Sequence, residues 1–126
     1  MKRYLLDTQL IYWWMTADVR LGKATQALVA RSEIIVSTAS VWEMVLKNAS
    51  GKLPLPPGAL GDQFEAQGFV LLPILPRHIE AVRHLTCAHA DPFDRLLIAQ
   101  AQDERVTLLT RDAGLLKLGL DGVVKA

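Results

Sequence analysis

The sequence predicts an α/β fold, a three-layer α/β/α sandwich around a central parallel sheet, formed as one domain over residues 1–126. Three observations carry that expectation. Short apolar runs alternate along the chain with longer segments of helical spacing, the βαβα order of a layered α/β protein with right-handed crossovers. The strand-like runs are apolar throughout rather than at every second residue, as strands covered on both faces are. A chain of 126 residues can also build a core without disulfides or structural metals.

The elements follow in order. RYLLD, Arg3–Asp7, reads as the first strand, with a helix from about Thr8 to Met15 behind it. A second helix is expected from about Leu21 to Arg31, ahead of the strand Ile34–Ser37. TASVWEMVLKNAS is helical up to Gly51, and the Pro/Gly-rich KLPLPPG then makes a turn. A helix over roughly Ala59–Gln67 leads to the strand FVLLPI, Phe69–Ile74, and Pro76 opens a helix to about Leu85. The segment after Asp91 is helical to about Glu104, and TLLT, Thr107–Thr110, is a strand. A short helix, about Ala113–Lys117, and a strand near Val123–Val124 close the chain. There is no internal repeat and no low-complexity tract.

Composition narrows the functional classes. Hydrophobic residues reach 51% with glycine left out, against a usual share of about 45–50% with glycine counted. That excess implies apolar surface for a partner or a second copy, and a homodimer is expected. A net charge of +1 offers no global attraction to a polyanion, so any nucleic acid must be held locally. Cys87 stands alone, which excludes an internal disulfide and fits a reducing cytoplasm; it reads as a small hydrophobe. Lys2 and Arg3 before Tyr4–Leu6 imitate a secretion signal, but Asp7 and Gln9 interrupt the run too early. FVLLPILP is far too short to span a bilayer. A soluble cytoplasmic protein is expected.

Four acids stand out. In DPFDRLLIAQA, Asp91 has the place of an N-cap, Pro92 the first helical position, and Asp94 the first turn near the positive end of the helix dipole. Counting three, four and seven on from Asp94 gives Leu97, Ile98 and Ala101, so its side chain leads an apolar stripe. An acid so placed is either paired or binding a cation. Asp7 ends the first strand and Asp112 follows TLLT, both where ligands gather in parallel α/β sheets. Taken singly, each is explained as well or better by helix capping. Glu43 shares a polar stripe with Lys47, and that spacing alone describes a surface ion pair of about 0.2–0.5 kcal/mol.

Together the acids say more. Three lie at strand ends or a helix start, the same edge of a parallel layout, and Glu43 can reach it from its helix. Two carboxylates about 4 Å apart repel by roughly 4 kcal/mol at an effective dielectric of 20. One would take up a proton unless a divalent ion compensates. All-oxygen acidic sites suit Mg²⁺ or Mn²⁺, ions that activate water and stabilise phosphodiester transition states. Metal-assisted hydrolysis is the chemistry such a cluster points to.

LLDT, TASVWEMVLK followed by GKLPL, HADPFDRLLIAQA and TLLTRD occur in that order over nearly the whole chain. They resemble the PIN-domain nucleases, and within them the VapC-type toxins of bacterial and archaeal toxin–antitoxin pairs. The resemblance implies a PIN-like parallel sheet between helices and an Mg²⁺- or Mn²⁺-dependent endoribonuclease leaving 5′-phosphate and 3′-hydroxyl ends. It also implies an RNA substrate and a VapB-like antitoxin partner. Carried over by motif, Asp7 resembles the first metal-binding acid, Glu43 the second, Asp94 the third and Asp112 the fourth, which in this family often acts through water. Thr8 and Thr110 match hydroxyl positions beside the site. The resemblance thus restores Glu43, which helical periodicity alone would leave in solvent.

Other residues give weaker signals. Lys47 and Arg95 each follow a site acid and could contact substrate phosphates, with a surface or ion-pair role equally open. Trp13, Trp14 and Trp42 could stack on bases, but packing is the expected role. His78, His84 and His89 lack zinc spacing; His89 falls near the site as a polar loop residue. Asp91 is an N-cap that could also support the site. The rival from another class is a phospho-receiver signalling domain with an acidic Mg²⁺ pocket. Against it, Asp7 has no acidic neighbour, FVLLPI ends without Asp, and no suitable lysine follows TLLT. A nuclease-derived binding module without catalysis is opposed by the intact acids.

Overall fold

A computed structural model of the chain describes residues 1–86, 89 and 91–126. Cys87, expected as a small hydrophobe, lies outside the described residues, as do Ala88 and Ala90 of the HADPFD motif. The elements alternate as expected. Strand β1 (Arg3–Leu6) is followed by helix α1 (Thr8–Met15), helix α2 (Lys23–Ala30), β2 (Glu33–Ser37) and α3 (Thr38–Ala49). Next come α4 (Leu60–Ala66), β3 (Val70–Leu72), α5 (Pro76–Val82), α6 (Pro92–Glu104), β4 (Thr107–Thr110), α7 (Ala113–Leu116) and β5 (Val123–Lys125).

Two of the departures from the expected boundaries have a clear local reason. The expected helix Leu21–Arg31 is divided: Val19–Leu21 form a 3₁₀ turn capped by the Asp18 side chain, and α2 starts only after Gly22. Gly22 has φ +83°, a left-handed conformation that glycine takes without a Cβ penalty and a helix interior excludes. The expected strand Phe69–Ile74 shrinks to Val70–Leu72. Pro73 follows at once and has no N–H to give to the ladder.

All four strand pairings are parallel, and the sheet order is β3-β2-β1-β4-β5. Leu5 stands between Ile35 and Leu108 in the register. Successive strand residues face opposite sides, so the apolar strands feed two cores. On one side Leu6, Ile34, Val36 and Leu109 pack with residues of α1 to α4, including Leu10, Ile11, Val29, Met44 and Phe64. On the other, Leu5, Ile35 and Leu108 pack with Leu97, Ile98 and Ala101 of α6 and Leu115 of α7. This is a three-layer α/β/α sandwich. Each fully buried leucine or isoleucine contributes about 1.5–3 kcal/mol relative to an exposed one. Among the described residues, no helix is long and apolar enough to cross a membrane.

The strand order excludes the receiver alternative, whose doubly wound order runs 2-1-3-4-5. It also locates a switch point. The chain moves from β1 outward to β3 and then returns to the far side of β1 through β4. The crevice beyond the C-terminal ends of β1 and β4 is where open α/β sheets bind ligands.

Candidate active site

At that crevice the acids meet. Asp7 directly follows β1, Asp112 caps α7 two residues after β4, and Asp94 sits in the first turn of α6. Glu43 comes from the second turn of α3. All four line one open cleft of about 370 Å³, together with Thr8, Lys47, His89 and Asp91. Gln9, one residue into α1, lines it too.

Hydrogen bonds fix the acids individually. Thr110, fully buried at the end of β4, donates through Oγ1 to Asp7 Oδ2 at 2.7 Å and accepts from the Asp112 backbone N–H at 3.0 Å. One hydroxyl therefore couples the first acid to the fourth. Asp112 Oδ2 accepts from Leu115 N–H, and Asp91 Oδ1 accepts from Asp94 N–H at 3.0 Å, so these two expected caps are present, whereas Asp7, at the N-cap of α1, makes no side-chain cap bond among the described residues. Asp94 Oδ2 is held by His89 Nε2 at 2.7 Å. Thr8 donates to Ser40 at 2.9 Å, tying the start of α1 to the helix that carries Glu43.

Burial first and neighbouring charge second raise two of the acids. Burial pushes the Asp7 carboxyl above the ordinary carboxylate range, the bond from Thr110 opposes this, and the charges of Glu43 and Asp112 add to it. Burial also pushes Asp94 up to about 6, against the pull of His89, with Asp7 and Asp91 adding to the rise. Asp7 and Glu43 are only 7% and 8% exposed. Lys47 Nζ lies 2.9 Å from Glu43 Oε2, so the ion pair expected from the i, i+4 spacing exists. Helical periodicity alone would leave Glu43 in solvent, whereas the resemblance puts it at the site; the residue is buried, and its Oε1 has no hydrogen-bond partner among the described residues.

The donor set fits a hard divalent cation. The carboxylates supply oxygen ligands, and the orphaned Glu43 Oε1 is a buried acceptor that a cation would satisfy. His89, Asp94 and Asp112 each place one ligand atom within 4.8 Å of the others. His89, expected as a polar loop residue, is therefore in direct contact with a site acid. Its signal in the sequence was its place just ahead of Asp91. Arg95 donates to the backbone oxygens of His89 and Val82. Trp13 and Trp14 pack against the core as expected, whereas Trp42 is 56% exposed, edge-on to Phe93 at 5.2 Å between centroids.

A parallel three-layer sandwich with a carboxylate cluster at its switch point is the frame in which the comparisons fall. The chain belongs to the PIN domain family, whose PIN domain model matches residues 4–120. No curated protein matches the sequence at a significant level. Among solved structures it is similar to a toxin–antitoxin complex from Klebsiella pneumoniae, at 24% identity and TM-score 0.63, over 96% of this chain and 95% of that one. It is similar to FitAcB from Neisseria gonorrhoeae at 21% identity and TM-score 0.61, over 88% of each chain. VapBC2 from Rickettsia felis, bound to a DNA fragment from its promoter, matches at 12% identity and TM-score 0.61, over 98% of this chain and 97% of that one. At these identities the likeness is one of fold.

Proposed function

We propose that this chain is a VapC-like toxin of a type II toxin–antitoxin pair, acting as a divalent-metal-dependent endoribonuclease. The observation that carries the reading is Glu43: a buried carboxylate with one oxygen unpartnered among the described residues, in a cleft shared with four further acids. Asp7, Glu43, Asp94 and Asp112 would hold Mg²⁺ or Mn²⁺. The ion would lower the pKa of a water, orient it and offset negative charge on the phosphodiester transition state.

The chain's own groups prepare that chemistry. Thr110 holds Asp7 and Asp112 in fixed relation, and His89 orients Asp94. Asp91 fixes the first turn of α6, and Arg95 ties the preceding loop to it. Thr8 braces α1 against α3. The open cleft admits an extended backbone, and cleavage there would leave 5′-phosphate and 3′-hydroxyl ends. A VapB-like antitoxin partner is supported by the solved relatives, which are toxin–antitoxin complexes. A homodimer is supported by the apolar residues exposed along α3, Trp42, Val45 and Leu46. We place the protein in the cytoplasm and treat residues 1–126 as one nuclease domain.

The test is Asp94→Asn. The variant should keep the wild-type circular dichroism spectrum and lose Mn²⁺-dependent cleavage of RNA. Full cleavage by that variant, or by the wild type in excess EDTA, would overturn the reading.

A further inference from the structure

We propose that Lys47 is an exchangeable counterion: it neutralises Glu43 in the metal-free protein and passes to the RNA phosphate once a divalent cation takes that carboxylate. The inference rests on the nuclease reading and assigns Lys47 a role within the same site. Among the described residues lining the cleft, Asp7, Glu43, Asp91, Asp94 and Asp112 are acids, and Lys47 is the one lysine or arginine. Its Nζ meets Glu43 Oε2 at 2.9 Å. The two ends of this pair differ sharply in environment. The Glu43 side chain is 10% exposed, whereas that of Lys47 is 49% exposed.

A buried carboxylate among other acids keeps its charge only beside a cation. Lys47 is the group that supplies one before any metal arrives, and it reaches only one of the two Glu43 oxygens. The other, Oε1, has no hydrogen-bond partner among the described residues, so Glu43 can accept a divalent ion before Lys47 leaves. A doubly charged ion shared with Asp7, Asp94 and Asp112 then lowers the attraction that holds the ammonium. Lysine is suited to the exchange, being a compact charge on a flexible four-carbon stem with three rotatable donors. Released at the cleft wall, it stands where a phosphate must pass, and phosphate oxygens are strong acceptors for it. Arg111 offers no substitute, because its guanidinium is engaged by the backbone oxygens of Arg20 and Leu21 and by Thr25.

The experiment measures two affinities on the wild type and Lys47→Met. Mn²⁺ binding is followed by isothermal titration calorimetry. Binding of a fluorescein-labelled single-stranded RNA is followed by anisotropy in Ca²⁺. The exchange predicts opposite shifts on the order of tenfold, the usual size of a site-to-site coupling: Lys47→Met binds Mn²⁺ more tightly and RNA more weakly. An unchanged Mn²⁺ affinity overturns the proposal, whatever happens to RNA, because Lys47 would then be no competitor of the metal. Tighter Mn²⁺ with unchanged RNA affinity overturns it as well. Absence of Mn²⁺ binding in the wild type would instead remove the nuclease reading, and the exchange with it.

Discussion

Helix α6 carries acids at both ends, and the two ends are opposites. At its C-terminal end Asp103 and Glu104 each meet Arg77 at 2.7 Å, and Glu104 also meets buried His78 at 2.9 Å. His78 Nδ1 faces the Leu75 N–H at 3.0 Å and Gln100 Nε2 at 3.2 Å, so it accepts, and Nε2 carries the proton toward Glu104. The bonds from His78 and then Arg77 hold the Glu104 carboxyl down at about 2. At the N-terminal end, Asp94 is pushed up to about 6 by burial, with the neighbouring acids Asp7 and Asp91 adding to the rise. His78, Asp103 and Glu104 lie close enough to share an ion, as do His89, Asp94 and Asp112. Proximity therefore does not separate them. What separates them is charge compensation: Arg77 bridges both acids of the first group, while the second belongs to a cleft of five acids in which Lys47 is the one lysine or arginine among the described lining residues.

The largest expected contrast is in activity. Asp7→Asn should lower RNA cleavage by about 10²–10³-fold, the scale of losing one preorganised group at a reacting centre. Glu104→Gln should leave the cleavage rate unchanged, and initial rates on a labelled RNA measure both. Next in size is metal-linked stability. Mn²⁺ at about a hundred times its Kd should stabilise the wild type by about 2.7 kcal/mol, read as a shift in the urea midpoint. Glu43→Gln should lose that shift.

His78→Leu sharpens the comparison from the other end. It removes the acceptor for Leu75 N–H and Gln100 and the donor to Glu104, and should cost about 1–3 kcal/mol in urea unfolding. Its Mn²⁺ affinity should stay at the wild-type value. The smallest effects are in pH, and they carry opposite signs. Asp94 has a raised folded pKa, so in EDTA its contribution is full below the unfolded value of 3.8 and is lost as pH rises through about 6. Glu104 has a lowered one, so its contribution is present above 4.5 and is lost as pH falls through about 2. Difference curves of wild type against Asp94→Asn and Glu104→Gln, taken by urea unfolding across pH, separate the two slopes.

What the sequence made legible follows from how local each cause is. The consecutive apolar residues Leu108–Leu109 and Ile34–Val36, with no alternation, report a sheet covered on both sides, and the paired cores around Leu5 and Leu6 agree. Asp94 was legible because its own helix surrounds it with Leu97, Ile98 and Ala101, all buried. Asp91 and Asp112 were legible as caps because a cap bonds to its own next turn. Glu43 was not legible from spacing, since a helical wheel records one helix and its burial comes from other elements at the sheet edge. The motif resemblance supplied it. The division at Gly22 was missed because helical periodicity continues on both sides of it. His89 was undervalued because its bond to Asp94 spans a loop, and spacing does not register contacts across loops.

The most direct test of the contrast between the two ends is Mn²⁺ titration calorimetry at neutral pH on wild type, Glu43→Gln and His78→Leu. Saturable binding that survives His78→Leu and disappears in Glu43→Gln is the predicted result. Binding that persists in Glu43→Gln and vanishes in His78→Leu would put the ion at the wrong end of α6 and contradict the account.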